Sequence, residues 1–202
     1  MAEEIKVPFN SYDSIKKKAE LFLEKYHPSG TIPVPIEEIV EFDLKINIVP
    51  LPGLHKDMEL DGFVASNLKE VYVDETACDA YPSRYRFTLA HEVGHIVLHK
   101  KIFQQANFST FSEWIEFGNS IPEKDYGWLE WQAYCFAGLV LVPQEHLERL
   151  TSKYVKHAGA LLKPNWDYVW EIIAAKLAKE FDVSKEVIEK RFYYGKIYEK
   201  YK

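Results

Sequence analysis

Apolar residues recur along this chain with two periods, and the changes between them divide it into helical and strand-like stretches. Ile15, Ala19, Phe22, Leu23 and Tyr26 follow a start signal at Asn10 and Asp13 at helical spacing, so the first element is an amphipathic helix ending at the HPSG breaker. After TIPVP, the segment IEEIVEF reads as a second, short helix. From Leu44 the period falls to two. LKINIV, GFVAS and EVYVD alternate as strands, separated by the turn-rich PLPGLHKD and by a hairpin around SNLK. A helix starts after Tyr81 and Pro82 and runs to about Lys100, and a polar, aromatic-rich linker follows from Ile102 to Tyr126. WLEWQAYCFAGLVLV is a strongly apolar helix that Pro143 stops. QEHLERLTSKYVKH gives another helix. Val169, Ile172, Ile173, Leu177 and Phe181 mark one from Asp167, and Ser184 caps a last one to about Tyr194. Helices, a small sheet, two apolar helices and a helical tail make an α+β fold.

Length and composition narrow the function classes. With 202 residues, 47% hydrophobic, the chain can bury one substantial core and is predicted to fold throughout. A net charge of −6 gives no general attraction to phosphate backbones, so direct nucleic-acid binding is not expected; the run Lys16, Lys17, Lys18 reads as a solvated helix face. Cys78 and Cys135 are too few and too far apart for a disulfide framework or a thiolate zinc site, which suits a reducing cytoplasm. The opening MAEEIKVPFN has no apolar core and FAGLVLV is too short to span a bilayer, so no membrane association is expected.

The chemistry concentrates in FTLAHEVGHIVLH. On a helix, His91 and His95 share a face roughly 6 Å apart along the axis, so their imidazoles can converge on one ion. Leu89, Val93, Ile96 and Val97 fall on the opposite side. Glu92 stands where its carboxylate can act as general base on a water. Gly94 removes a side chain from the helix flank, where another backbone could approach, or is simply tolerated at a cost of about 1 kcal/mol.

A catalytic zinc needs a third protein donor. The spacing H-E-x-x-H-x-x-G-x-x-H is absent, since residues 98 and 101 are Leu98 and Lys101. His99 continues the row, but three histidines on one straight helix span about 12 Å, too far for one ion, which leaves His99 a supporting role. Glu130 is the remaining candidate. It is the acid within the later apolar helix, and Ala133 and Ala137 on its side of the wheel would let that helix pack closely against the histidines. Burial of a carboxylate is costly, and a metal partner explains it; the plainer reading is a carboxylate favoured by the dipole at a helix start.

RYRFTLAHEVGHIVLH followed by EWQAYCFAGLVLVP resembles the ImmA/IrrE family of metallopeptidases, and DGFVASNLKEVYVDE is similar to that family's hairpin before the active helix. The resemblance covers about residues 30 to 145. It implies a minimal zincin-like fold: a small, mostly antiparallel sheet of about three strands packed on the HExxH helix and on a glutamate-bearing helix, with further N- and C-terminal helices. It also implies one Zn2+ per chain held by His91, His95 and Glu130, with Glu92 as catalytic acid/base. Gln132 and Tyr134 depart from the family's usual Glu and Asn, and the linker before Glu130 is long. Residues 1–145 then form the metallopeptidase domain, and 146–202 a helical extension packed on it as one structural unit.

The reaction so predicted is hydrolysis of a peptide bond in a protein or peptide substrate, with Glu92 passing the proton of the attacking water to the leaving amine. Members of the family are often similar to proteases that cleave DNA-binding repressors, which makes a repressor the implied partner. Tyr134, Tyr126, His146 and His157 are candidates for the oxyanion donor, and His99 for a supporting contact. Two rival readings stand beside this one: a zinc-binding regulatory partner with weak or no proteolysis, and a non-peptide zinc hydrolase such as an amidase. The linker aromatics Phe103, Phe108, Phe111, Trp114, Phe117 and Tyr126 read as a satellite core, with a docking surface or a lid over the cleft as alternatives.

Overall fold

The structure, a computed structural model, describes residues 5–106, 108, 111–159 and 165–201. Helix α1 (Tyr12–Tyr26) starts at Ser11, whose hydroxyl accepts the Ser14 N–H at 3.2 Å, and buries Ile15, Ala19 and Phe22. Asn10, expected as part of the start signal, is instead buried and donates to the Gln132 carboxamide at 2.6 Å. A short helix α2 (Ile36–Glu38) runs on as a π-helical turn (Ile39–Asp43).

Three strands follow, β1 (Asn47–Leu51), β2 (Gly62–Val64) and β3 (Glu70–Asp74), in the order β1-β3-β2. β2 and β3 form the expected hairpin, with Phe63 opposite Tyr72. β1 pairs with β3 in parallel, Ile48 opposite Val71, so the sheet is mixed. A short helix α3 (Leu54–Met58) interrupts the turn-rich stretch between β1 and β2, and α4 (Glu75–Ala80) follows β3, capped by Asp74. Val64, Val71 and Val73 are fully buried on the sheet face that receives the next helix.

That helix is α5 (Pro82–Ala106), which runs past Lys100 with a kink at His99 (φ −124°, ψ 16°). Most of the expected linker is helical too: α6 (Phe111–Ser120) occupies its middle, and α7 (Glu123–Leu141) begins well before Trp128. Glu123 and Asp125 therefore take the first turn of α7, and Glu130 lies beyond it, where the helix dipole no longer accounts for a carboxylate. Helices α8 (Gln144–Gly159), α9 (Trp166–Phe181) and α10 (Lys185–Tyr194) follow, α10 starting at Ser184, whose hydroxyl accepts the Val187 N–H, and a 3-10 helix (Ile197–Tyr201) comes after them.

One continuous core joins α1, the sheet, α5, α7 and the C-terminal helices. Fully buried Arg191 on α10 donates to the Val142 carbonyl from Nε and Nη2 (3.3 and 3.2 Å), to Gln144 Oε1 (2.7 Å) and to the Tyr12 hydroxyl. A buried guanidinium needs this many acceptors, and one of them is the carbonyl that ends α7.

Candidate active site

Helices α5 and α7 meet at a seam of small residues. A Cβ on Gly94 would stand 3.0 Å from the Ala133 carbonyl oxygen and 3.1 Å from its Cα, so the two backbones are as close as a glycine permits. Ala133 follows Glu130 by three residues and shares its face of the helix. The close approach therefore carries Glu130 across to the histidines.

The geometry there is compact. His91 Nε2 lies 3.0 Å from His95 Nε2 and 3.1 Å from Glu130 Oε2, and His95 Nε2 is 3.4 Å from Glu130 Oε1. Donors about 2.0–2.1 Å from a tetrahedral centre are separated by about 3.3 Å, so the two imidazole nitrogens and the Glu130 carboxylate fit a zinc-sized cation. The electrostatics set the two histidines apart. Burial disfavours charge on His91, yet the hydrogen bond and charge of Glu130 outweigh it and raise the His91 pKa. Burial drives His95 well below its ordinary value, to the neutral form a ligand needs. Burial would raise the Glu130 pKa, but the His91 hydrogen bond and the histidine charges hold it at about 2. His91 and Glu130 thus hold each other as a charged pair beside a neutral His95, and a divalent cation would take the place of the His91 proton between them.

Glu92 sits beside them, 5% exposed, with a carboxylate within 4.8 Å of both imidazoles' donor atoms. Burial raises its pKa to about 7; His91 and the Val64 backbone N–H oppose the shift, and the Glu130 charge adds to it. A carboxyl group so placed can take up and release a proton near neutral pH.

His99 is buried on the far side of His95, its Nδ1 3.2 Å from His95 Nδ1, and burial depresses its pKa to about 4. The kink at His99 ends the straight helix assumed in the sequence reading, and the ring meets the second nitrogen of His95 rather than the metal position. Tyr126 and Tyr134 both line the cleft. Burial raises both hydroxyls to about 12; the charges of Glu130 and Glu92 act next on Tyr126, whereas Tyr134 responds to Glu186 and Tyr194 and packs 4.9 Å from Phe87. The structure brings neither His146 nor His157 to the cleft. His146 bonds the Gly30 carbonyl and His157 the Lys153 carbonyl, both at 2.7 Å.

The cleft encloses about 280 Å³. Of the linker aromatics, Phe103, Trp114, Phe117 and Tyr126 line it, and Phe111 and Phe108 pack behind. Two features escaped the sequence reading. Phe63 forms part of the wall from the edge strand β2. Asp61, at the other end, is paired with Arg84 (2.5 and 2.9 Å) and His55 (3.0 Å). Asp61 and Arg84 are separated by β2, β3 and α4 in sequence, so no local pattern joins them.

A family model described as the IrrE N-terminal-like domain (Peptidase_M78) matches residues 43–193, a span that contains every residue of the histidine and glutamate cluster. No curated protein matches the chain. Among solved structures, a Mycobacterium tuberculosis transcriptional regulator is similar in fold, with a TM-score of 0.53 at 14% identity over 87% of this chain and 45% of that one. The chain thus spans less than half the length of that regulator. Among the described residues, no helix is long and apolar enough to cross a membrane.

Proposed function

The chain belongs to the family of IrrE N-terminal-like domains and has that family's zinc-metallopeptidase class of site; from this premise we propose that it is an endopeptidase cutting a regulatory protein substrate, such as a DNA-binding repressor. The observation that carries the reading is the meeting of His91 Nε2, His95 Nε2 and Glu130 at mutual distances of 3.0 to 3.4 Å, with buried Glu92 beside them.

His91, His95 and Glu130 would hold the ion, and zinc bound there would supply the Lewis-acid charge that polarises a scissile carbonyl and acidifies an attacking water. Glu92, buried beside the two histidines, takes that water's proton and gives it to the leaving amine. Tyr126, whose hydroxyl feels both Glu130 and Glu92, donates a hydrogen bond to the developing oxyanion. Tyr134 is turned toward other partners and serves the cleft wall. His99 accepts the Nδ1–H of His95, which fixes the tautomer that leaves Nε2 free to ligate.

Support for a protein substrate comes from the charge of −6, which disfavours nucleic acid, and from the fold shared with a transcriptional regulator. Residues 1–145 carry the chemistry, and 146–202 pack on them as part of one unit, as the Arg191 bonds to Val142 and Tyr12 suggest. Cys78 and Cys135 stand unpaired, in keeping with a reducing cytoplasm.

The test is Glu92→Gln. The variant is expected to keep its zinc and to lose turnover by at least about a hundredfold, the usual weight of general acid/base catalysis. Undiminished cleavage would refute the assignment of Glu92. Survival of the cellular function without cleavage would favour the regulatory partner. Glu130→Ala is expected to lower metal content, and full occupancy would remove Glu130 from the ligand set.

A further inference from the structure

The two ends of the cleft differ in chemistry. Near His91 lies Asp61, whose charge reaches it and which Arg84 and His55 engage, and Glu59 lines the same cleft. Toward His95 the wall is apolar: the Phe103 ring stands 5.3 Å from the His95 ring, Phe117 is 5.7 Å from Phe103, and Trp114 is 5.2 Å from Phe63 on β2. Ile121 and Leu129, both buried, complete this end. Half of it, Trp114, Phe117 and Ile121, is built by α6 and the turn behind it, the long linker by which this chain departs from its family's pattern.

We infer that this aromatic end is a specificity pocket for one large apolar side chain, Phe, Tyr, Leu or Met, on a residue flanking the bond to be cut. The assignment rests on the endopeptidase reading of the same site and adds the substrate class. Three observations carry it. The aromatic wall begins in ring contact with a ligand histidine, so a side chain seated there is attached to backbone beside Glu92. A cleft of about 280 Å³ lies at the lower edge of the roughly 300–1,000 Å³ that takes up whole small ligands, so it admits the side chains of an extended segment and no folded surface. Finally, Phe103, Trp114, Phe117, Ile121 and Leu129 offer a charged side chain no ionic partner, and such a chain would be desolvated without compensation. Alanine would leave the pocket unfilled. Discrimination between large and small apolar groups in a hydrophobic pocket runs at about ten- to two-hundredfold.

The experiment uses the zinc-loaded full chain with two readouts. Wild-type protein digests a mixture of unstructured peptides of known sequence, and the cut bonds are read by mass spectrometry. The Glu92→Gln protein is titrated with short peptides that differ only in carrying Phe or Ala at one position. Cuts are expected to concentrate beside Phe, Tyr, Leu and Met. The Phe peptide is expected to bind at least about tenfold more tightly than the Ala peptide. Trp114→Ala is expected to abolish both preferences with zinc content unchanged, and Trp114→Phe to keep most of them, which separates loss of the pocket from loss of folding. Cleavage without the preference, or a preference indifferent to Trp114→Ala, would overturn the pocket and leave the peptidase reading intact. Tight Phe-peptide binding that Trp114→Ala removes, with no cleavage of any peptide by wild type, would uphold the pocket and defeat the peptidase reading. Neither cleavage nor selective binding would overturn both.

Discussion

The seam between α5 and α7 and the aromatic roof at α6 enclose the same cleft, yet they are built from opposite materials. At the seam, Gly94 meets Ala133 backbone to backbone, and the neighbouring Ala90, Val93, Phe136 and Ala137 are fully buried. In α6 no side chain is fully buried, and Phe111, Trp114 and Phe117 are half-exposed rings packed on Phe63, Phe103 and each other. The difference follows from the tolerance each task allows. Metal donors must be placed to within tenths of an ångström, which close-packed small residues enforce because nothing in them can rotate. A pocket that sorts side chains by size needs area and some adaptability, which aromatic rings supply.

Withdrawing zinc should divide the two regions most sharply. An ion that binds only the folded chain stabilises it by about 4 kcal/mol when free zinc exceeds its dissociation constant about a thousandfold. The chelated protein is therefore expected to melt several degrees lower. Amide exchange should accelerate along α5 and α7 around His91, His95 and Glu130, and change little in α6. Equal acceleration in α6 would mean that roof and seam form one cooperative unit, and the contrast would lapse.

Gly94→Ala comes next. The new methyl would face Ala133 atoms at 3.0 and 3.1 Å, both of them backbone, so the helices would have to separate by a few tenths of an ångström. Overpacking of this kind costs about 1–3 kcal/mol, against the roughly 1 kcal/mol that Ala gains over Gly in helix propensity. The separation acts directly on Glu130, three residues before Ala133, so zinc affinity should fall about tenfold or more. Calorimetry and zinc titration check both numbers. Unchanged affinity would show that Glu130 reaches the histidines without help from the close approach.

The seam was the more legible of the two regions. His91, Glu92 and His95 are local in sequence, and Glu130 stands out as a carboxylate in an apolar helix flanked by alanines. The roof was hidden. Phe111, Trp114 and Ile115 do stand at helical spacing, but they span little more than a turn before Gly118, Asn119, Ser120 and Pro122, and a helix with no buried face leaves a faint pattern. The parallel pairing of β1 with β3 was illegible for another reason: alternation says which face of a strand is buried, not which neighbour it pairs with. The Asp61 and Arg84 pair joins the start of β2 to α5 across 23 residues, and no periodic pattern marks such a contact. His99 was excluded as a direct ligand on the assumption of a straight helix; the structure bends there and still keeps the ring behind His95.

The smallest effect concerns the sheet on which the roof leans. Asp74 ends β3, and its carboxylate accepts the His55 N–H at 2.9 Å and the Ala77 N–H at 3.0 Å, tying α3 and α4 to the strand. Burial would raise its pKa, but these N–H groups, with Thr76 and the His55 charge, bring it below the ordinary 3.8. A carboxylate whose pKa is lower in the folded state contributes stability that is fully present above the unfolded value of 3.8 and is lost as pH falls through the folded value. Asp74→Asn keeps one accepting oxygen but turns an NH2 toward the second N–H, so it is expected to cost about 1 kcal/mol at pH 7, the usual weight of a hydrogen bond, and the gap from wild type should close in strong acid. Comparing chelated proteins on both sides removes the acid release of zinc from the difference. Because Asp74 touches neither Gly94 nor the α6 rings, the substitution should leave zinc affinity at neutral pH and the Phe-over-Ala preference as they were. A change in the preference alone would show that the roof takes its shape from the sheet, and not from its own stacked rings.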